Sequence, residues 1–323
     1  MNESVRFAAA FGDQLRQWRQ HRRLSQLALS LEAGISARHL SFVETGRSQP
    51  SRELVLRLAE RLEVPLRERN AMLMAAGYAP MYPQRSLDDP ALSVAREAVE
   101  QVLMAHEPHP ALAIDRHWNM SMANRMIAPL LSGVAPSLLV APVNVLRLSL
   151  HPQGLAPRIL NLPEWRGHLF ERLGQQIAVT ADQRLRDLLA ELKAMGGGGA
   201  AAAKPGSGRA DGAGLDGRED PGRSNAGSAV AAPRPARHAL AVPLRLASPL
   251  GELALISTTT IFGTPVDVTL SELAIESFFP ADAATAERLR ALHAGLAGAA
   301  EAGGGAAAGE ASAVPPIGPG SVE

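Results

Sequence analysis

The chain has 323 residues, 32 basic and 32 acidic side chains, and no cysteine. This length leaves room for two ordinary domains of about 100 to 200 residues each. The lack of cysteine excludes disulfides, thiolate metal sites and thiol catalysis. No opening run has the apolar core of a signal peptide, and no stretch approaches the roughly 20 apolar residues of a membrane helix. We therefore expect a soluble, cytoplasmic protein without membrane association.

The positive charge is concentrated at the start of the chain. Residues 1–85 contain thirteen arginines and eight acidic residues. A basic module on a neutral body is typical of a domain that binds phosphates, and a solvated arginine-rich surface is the alternative.

Residues 25–51 have the spacing of two short helices joined by a tight turn. Ser25 can cap the first helix and Ser36 the second, while Gly34 permits the left-handed backbone of the turn. Leu40 is expected to point inward from the second helix. A helix with a buried face and short outer side chains suits a DNA major groove roughly 12 Å wide.

Leu27, Ala28 and Leu31 fall on one face of the first of these helices and are its predicted apolar positions. Before them, residues 7–21 form an amphipathic pattern with Phe7, Phe11, Leu15 and Trp18 at helical spacing. Two more helices are predicted after Pro50, which gives five helices up to residue 79.

This segment resembles the DNA-binding domain of the XRE/Cro family of bacterial regulators. The residues that carry the resemblance, at the family spacing, are Gln26, Ala28, Gly34, Ser36, Glu44, Gly46, Pro50 and Ser51. The resemblance implies an all-α, five-helix, lambda-repressor-like domain over residues 1–79 that binds a double-stranded DNA operator as a homodimer. The residues that it places on DNA are Gln26, Ser36, Ala37, Arg38, Ser41, Phe42 and Arg47.

Phe42 departs from the family pattern, which usually has a small or amide side chain there. It either touches a thymine methyl group or packs against Trp18. The resemblance also implies an ion pair between Arg19 and Glu44, with the structural role of fixing the angle between two helices.

A second domain is predicted to begin after a linker at residues 80–86, which two prolines stiffen. Asp89 followed by Pro90 is a strong helix start. Residues 111–114 and 120–123 form a predicted hairpin. His106 and His109 lie between the predicted helix and this hairpin. Because no third ligand occurs at a suitable spacing, a surface turn is favoured there over a metal site.

The hairpin resembles the opening hairpin of PAS sensor domains. Residues 144–169 and 257–285 closely resemble the MmyB-like ligand-binding domain, which follows this helix-turn-helix in many bacterial regulators. The resemblance implies an α+β, PAS-like domain with an antiparallel sheet over residues 87–195 and 238–292. A Gly/Ala/Pro-rich insertion at 196–237 and a tail at 298–323 are expected to be disordered.

The later part of this domain is predicted to contain three strands, at residues 240–246, 252–262 and 273–279. The last of these alternates apolar and polar positions, although Thr269 and Glu272 could cap a helix instead. Thr180 and Gln183 predict the start of a helix that ends near Met195.

We find no catalytic constellation, so we expect neither enzyme activity nor a cofactor. A sheet closed on one face by helices leaves an apolar pocket with a few polar groups, and the resemblance suggests an apolar or fatty-acid-like ligand. Arg147, His151 and Arg166 would hold an anionic head group, or are surface cations. The complete set of predicted ligand-binding residues is Trp118, Arg147, Leu150, His151, Trp165, Arg166, Thr258, Thr260 and Phe262.

These features predict a ligand-responsive transcriptional regulator that associates with the nucleoid. Two alternatives remain open. One is a DNA-binding scaffold whose second domain is a protein-interaction module, and the other is a PAS-like domain that carries a cofactor.

Overall fold

The structure, a computed structural model, describes residues 3–197, 242–263 and 265–303. Nearly all of the insertion predicted at 196–237 therefore lies outside the described residues. Within the described ranges, no helix combines the length and the apolar character that a membrane span needs.

The first domain is a bundle of five helices, as predicted. Its core consists of side chains with almost no solvent exposure, among them Phe11, Leu15, Leu40 and Leu58. The helices are α1 (Glu3–His21), α2 (Gln26–Glu32), α3 (Ala37–Glu44), α4 (Arg52–Arg61) and α5 (Leu66–Ala75).

Helices α2 and α3 form the predicted helix-turn-helix, and both predicted caps are confirmed. The Ser25 hydroxyl accepts from the Ala28 amide at 3.0 Å, and the Ser36 hydroxyl accepts from the His39 amide at 3.1 Å. Gly34 between the helices has a φ of 67°, in the left-handed region that favours glycine.

The prediction for the buried face of α2 is wrong. Leu27 and Leu31 are 61% and 72% exposed, whereas Leu29 and Ala33 are buried. Leu29 and Ala33 lie four residues apart on the face towards the bundle, and this pair, with the buried Ser30, gives the seven-residue helix its inner surface.

The second domain contains a five-stranded antiparallel sheet in the order β2-β1-β5-β4-β3. Strand β1 pairs directly with β5, so the segments before and after residues 198–241 share one sheet. The strands are β1 (Ala111–Ile114), β2 (Met120–Ala123), β3 (Leu244–Ser248), β4 (Gly251–Ile261) and β5 (Ala274–Pro280). The strand favoured at 273–279 is thus confirmed.

Helices cover both faces of the sheet. The main core lies between the inner face and the longer helices, while α6 covers part of the outer face through Val99 and Leu103. The helices are α6 (Ser93–Ala105), α7 (Val145–Leu150), α8 (Leu162–Thr180), α9 (Gln183–Gly197), α10 (Val268–Ser271) and α11 (Ala283–Gly303).

Two predicted boundaries are corrected. Thr180 is the last residue of α8 and not the cap of the next helix, because Ala181 turns into the left-handed region and Asp182 accepts from the Arg184 amide. Helix α11 continues to Gly303, so the expected disordered tail does not begin at residue 298.

Candidate DNA-binding surface and ligand cavity

The recognition helix α3 presents an arginine stacked on an aromatic ring. Arg38 is exposed, and its guanidinium carbon lies 5.3 Å from the centre of the Phe42 ring. Phe42 is half-buried and lies outside the buried cluster that contains Trp18. The ring therefore supports Arg38 at the surface, and the stack pre-orients the guanidinium.

The remaining predicted DNA contacts surround this stack. Ala37 and Ser41 are half-buried on α3, and Arg47 is exposed just after the helix. The Ser36 hydroxyl serves as the helix cap. Gln26 donates its amide to the Glu44 carboxylate at 2.8 Å, so it also takes part in the packing of α3.

The predicted ion pair between Arg19 and Glu44 is confirmed. Arg19 Nε donates to Glu44 Oε1 at 2.6 Å and Nη2 donates to Oε2 at 2.9 Å. The Glu44 side chain is fully buried. Burial alone would raise the pKa of Glu44, but the hydrogen bonds from Arg19 and Gln26 and the charges of Arg19 and Arg16 lower it more. The pair fixes α3 against α1.

The second domain contains an apolar cavity of about 100 Å³ between the inner face of the sheet and helices α7 and α8. The polar lining residues are Ser149, Arg172, Ser257 and Glu276. The apolar lining residues are Leu112, Trp118, Met120, Ile127, Leu130, Leu131, Val145, Leu146, Leu148, Leu155, Trp165, Leu169, Leu244, Leu246, Leu255 and Phe278.

A charged pair forms one wall of the cavity. Arg172 donates through Nη2 to Glu276 Oε1 at 2.6 Å and through Nη1 to Oε2 at 3.1 Å. Nη2 also donates to the Thr259 hydroxyl at 2.7 Å. Among the lining residues that the structure describes, Arg172 is the only cation, and Glu276 balances its charge.

Both tryptophans predicted to bind ligand line the cavity. Trp118 donates its indole N–H to Gln176 at 2.7 Å, and the Arg172 guanidinium lies 4.9 Å from its ring centre. Trp165 donates to the Ser149 hydroxyl at 3.0 Å. Each indole therefore has its polar end satisfied and turns its apolar ring to the cavity.

The three cations predicted to hold a head group are not at the cavity. Arg147 forms a two-bond pair with Glu191 of the neighbouring helix α9, at 2.7 Å for each bond. His151 follows the end of α7, where it accepts from the Gln153 amide. Arg166 lies next to Gly196 at the end of α9. They are absent from the lining because α7 and α8 turn other faces inward.

The predicted residues on β4 lie on its other face. Leu255 and Ser257 line the cavity from alternate positions, which places Thr258 and Thr260 on the opposite, exposed face. Thr260 and Phe262 instead border a second pocket, of about 130 Å³, between the sheet and α6. The prediction assigned the even-numbered residues of this strand to the cavity, but the odd-numbered residues face it. In a strand, a shift of one residue exchanges the two faces. Leu150 is buried in the core without lining the cavity.

Sequence reasoning missed Arg172 and Glu276. Trp165, Leu169 and Arg172 lie at helical spacing on one apolar face of α8, and Glu276 occurs within the apolar strand β5. The sequence signal for this pair was a single charged residue on each of two otherwise apolar faces. Two such residues of opposite charge are expected to pair when both faces are buried.

His106 and His109 both pack against an aromatic ring. Their rings lie 4.8 and 5.7 Å from the ring of Phe279. Over the described ranges, no group of three or more potential ligand side chains is close enough together to hold a metal ion.

The chain matches two family models. A helix-turn-helix domain matches residues 10–72, and the MmyB-like transcription regulator ligand binding domain matches residues 95–210. Together these two ranges span more than half of the chain. No curated protein matches the sequence.

Two solved structures are similar to part of the chain. The restriction-modification controller protein C.AhdI from Aeromonas hydrophila is 32% identical over 19% of this chain and 94% of its own, with a TM-score of 0.19. The clp gene regulator ClgR from Corynebacterium glutamicum is 24% identical over 32% of this chain and 95% of its own, with a TM-score of 0.20. The two domain matches show that the chain combines a helix-turn-helix domain with the ligand-binding domain of the MmyB-like transcription regulators.

Proposed function

We propose that the chain is a sequence-specific transcriptional regulator that senses a small apolar or fatty-acid-like molecule in the cavity of its second domain. The cavity carries this proposal. Protein cores leave few voids larger than a water molecule, and an empty void lowers stability. A partly open, apolar space of about 100 Å³ lined by core side chains is therefore suited to an occupant.

The size of the cavity limits what fits without movement. An engineered apolar cavity of about 150 Å³ binds benzene, and sites for larger ligands reach several hundred Å³. A ligand with a longer chain must therefore widen the cavity. Leucines and Met120 form much of the lining, and such side chains change rotamer more easily than aromatic rings.

The head group of the ligand is expected to lie at Arg172, beside the exposed Thr259. Because Glu276 already neutralises Arg172, a charge on the ligand adds little to the affinity. The apolar chain supplies most of it, at about 0.8 kcal/mol for each buried CH₂ group. Decanoate and 1-decanol should therefore bind with similar affinities.

The ligand proposal is tested with the full-length chain. Native mass spectrometry shows whether a small molecule co-purifies, and tryptophan fluorescence follows titration with 1-decanol and decanoate. The chain has three tryptophans, so the Trp18→Phe variant leaves only the two that line the cavity. If neither probe changes the fluorescence and no molecule co-purifies, the second domain is better explained as a protein-interaction module.

For DNA, we propose that Arg38 reads base edges, supported by Phe42, and that Gln26, Ser36, Ala37, Ser41 and Arg47 complete the contact surface. Two copies of the chain would place two recognition helices about 34 Å apart on an operator. A regulator of this kind acts on the chromosome, so we place it in the cytoplasm, associated with the nucleoid.

Arg38→Ala should weaken binding to a selected operator by about 1 to 3 kcal/mol and leave binding to random DNA nearly unchanged. Arg96 is a matched control because it is a surface arginine of the second domain, paired with Asp88 and Glu100. Arg96→Ala should leave both affinities unchanged. Equal losses on operator and random DNA in Arg38→Ala would show a phosphate contact instead of base reading.

A further inference from the structure

We propose that helix α8 transmits occupancy of the cavity to the DNA-binding domain, through contacts between its last turn and the ends of α1 and α4. This inference rests on the proposed function and adds the route by which the same cavity is coupled to DNA binding.

Helix α8 belongs to both sites. Trp165, Leu169 and Arg172 line the cavity from one face of the helix. Its last turn lies against the first domain, where Arg22 donates through Nη1 to the Ala178 carbonyl at 3.1 Å and through Nη2 to the Val179 carbonyl at 3.0 Å. Only about 10 Å of helix separates the cavity wall from these carbonyls.

Arg22 connects the ends of two helices. Its Nε donates to the Leu62 carbonyl at 2.8 Å and its Nη2 also donates to the Glu63 carbonyl at 3.1 Å, just after α4. The last carbonyls of a helix lack partners within the helix, and a cation there is favourable. Arg22 thus joins the C-terminal ends of α4 and α8, and His21 donates to Ala178 beside it at 2.6 Å.

A second connection runs through an ion pair. Arg67 of α5 donates two hydrogen bonds of 2.8 Å to Glu272, and the Arg116 guanidinium lies 3.6 Å from the same carboxylate. Glu272 lies just before β5, the strand that carries the cavity residue Glu276. The Arg116 carbonyl accepts from Gln176, the α8 side chain that also holds Trp118.

The linker is also fixed to the second domain. The Val268 amide donates to the Pro83 carbonyl at 2.8 Å, and Arg85 pairs with Asp267 at 3.2 Å. Thr269 donates its hydroxyl to the Arg85 carbonyl. The first domain therefore has a defined orientation on the second, and a displacement at the contact reaches the recognition helix.

When a ligand widens the cavity, helix α8 moves and the sheet does not. Strands β3, β4 and β5 are joined by continuous antiparallel pairing, which resists separation. Helix α8 is held to its neighbours by side-chain packing and by side-chain hydrogen bonds, namely those of Arg172 with Glu276, of Trp165 with Ser149 and of Gln176 with Trp118 and the Arg116 carbonyl, and none of these is a backbone ladder. Hydrogen bonds of 3.0 to 3.1 Å are lost when the atoms separate beyond about 3.5 Å. A ligand that widens the cavity therefore releases Arg22 from α8.

The inference is tested by measuring the distance between the domains. Because the chain has no cysteine, Glu32→Cys and Glu97→Cys introduce two specific, exposed positions for spin labels, one in each domain. Ser257→Phe fills the cavity from the sheet and imitates an occupant. Thr258→Phe is the matched control, since the structure places Thr258 on the opposite, exposed face of the same strand.

Ser257→Phe should shift the label distance by about 1 to 2 Å or more, or broaden it, and Thr258→Phe should not. Operator affinity should change roughly 5- to 150-fold in Ser257→Phe alone. An unchanged, narrow distance in a folded Ser257→Phe protein overturns the inference.

If Ser257→Phe does not fold, Ser257→Leu and the wild type with 1-decanol provide the same comparison. Binding of 1-decanol without a change in distance overturns the transmission through α8 and leaves the proposed sensing intact. Absence of 1-decanol binding counts against the proposed function, while the Ser257 variants still decide the inference.

Discussion

Each domain contains a buried pair of an arginine and a glutamate, and the two pairs have different roles. In the first domain, Arg19 and Glu44 join α1 to α3, and Gln26 adds a third hydrogen bond. In the second domain, Arg172 and Glu276 join α8 to β5, and Thr259 adds a third. Both carboxylates are almost completely buried, with side chains 0% and 5% exposed.

The surroundings of the two pairs differ. The pair in the first domain lies beside a filled core, in which Phe11, Leu15 and Leu40 are fully buried. The pair in the second domain lies on the wall of a cavity. A filled core transmits displacement as a rigid unit, whereas the wall of a cavity has room to move. We therefore expect the DNA-binding domain to be the more rigid of the two and the ligand-binding domain to be the more adaptable.

The largest expected effect is the loss of the buried charge in the first domain. Glu44→Gln should lower the free energy of unfolding by about 3 kcal/mol, because the Arg19 guanidinium would lose its carboxylate in a buried place. Urea unfolding measures the change. Glu53→Gln is the control, since Glu53 pairs with Arg57 at the exposed surface, and it should cost under about 0.5 kcal/mol. Equal effects of the two substitutions would contradict the structural role of Glu44.

Acid should remove the stabilisation that the pair between Arg19 and Glu44 gives to the first domain. The folded-state pKa of Glu44 lies below its ordinary value of 4.5, because its arginine and glutamine partners outweigh the effect of burial. The stabilisation is therefore complete above the unfolded-state value and is lost as the pH falls through the lowered folded-state pKa. Glu44→Gln should make the unfolding of the first domain less sensitive to pH in that range.

The pair at the cavity should contribute less to stability and more to ligand choice. Glu276→Gln should cost about 1.5 kcal/mol, since Arg172 is partly exposed and keeps its bond to Thr259. The same change leaves the cavity wall with an unbalanced cation. Binding of decanoate should then strengthen about tenfold relative to 1-decanol, as fluorescence titration would show. An unchanged ratio would place the head group away from Arg172.

The smallest effect concerns the contact between the domains. Burial raises the pKa of Glu68 on α5, and Asp182 and Glu272 raise it further against the lowering effect of Arg116 and Arg67. A raised carboxylate pKa means that the charged form is disfavoured in the folded state. The charged Glu68 therefore destabilises the protein at pH values above the pKa that the group has in the unfolded state. Glu68→Gln should stabilise the protein at neutral pH by less than about 1 kcal/mol and have no effect near pH 4. Destabilisation at neutral pH would contradict this sign.

The sequence predicted the first domain better than the second. The helix caps, the glycine turn and the pair between Arg19 and Glu44 depend on residues that are close in sequence or follow a known spacing. In contrast, the cavity depends on which face of each element turns inward. Thr258 and Arg147 were assigned to the cavity because alternation and helical spacing define faces without showing which one is buried.

Tertiary pairing decided the remaining features. Glu276 and Arg172 are far apart in sequence, and each by itself is a charged residue in an apolar segment. Their proximity follows from the order of the sheet, in which β5 lies between β1 and β4 and faces α8. The contacts of Arg22 with α8 arise in the same way, because they depend on how the two domains are placed together.

The most direct test of the account is the operator affinity of the wild-type chain with and without 1-decanol. The operator would be selected from random DNA, and Ser257→Phe, in which the cavity is already filled, would be titrated in parallel. We expect 1-decanol to change the wild-type affinity roughly 5- to 150-fold and to leave the affinity of Ser257→Phe unchanged. Equal wild-type affinities in both conditions, with 1-decanol bound, would contradict the control of DNA binding by the cavity.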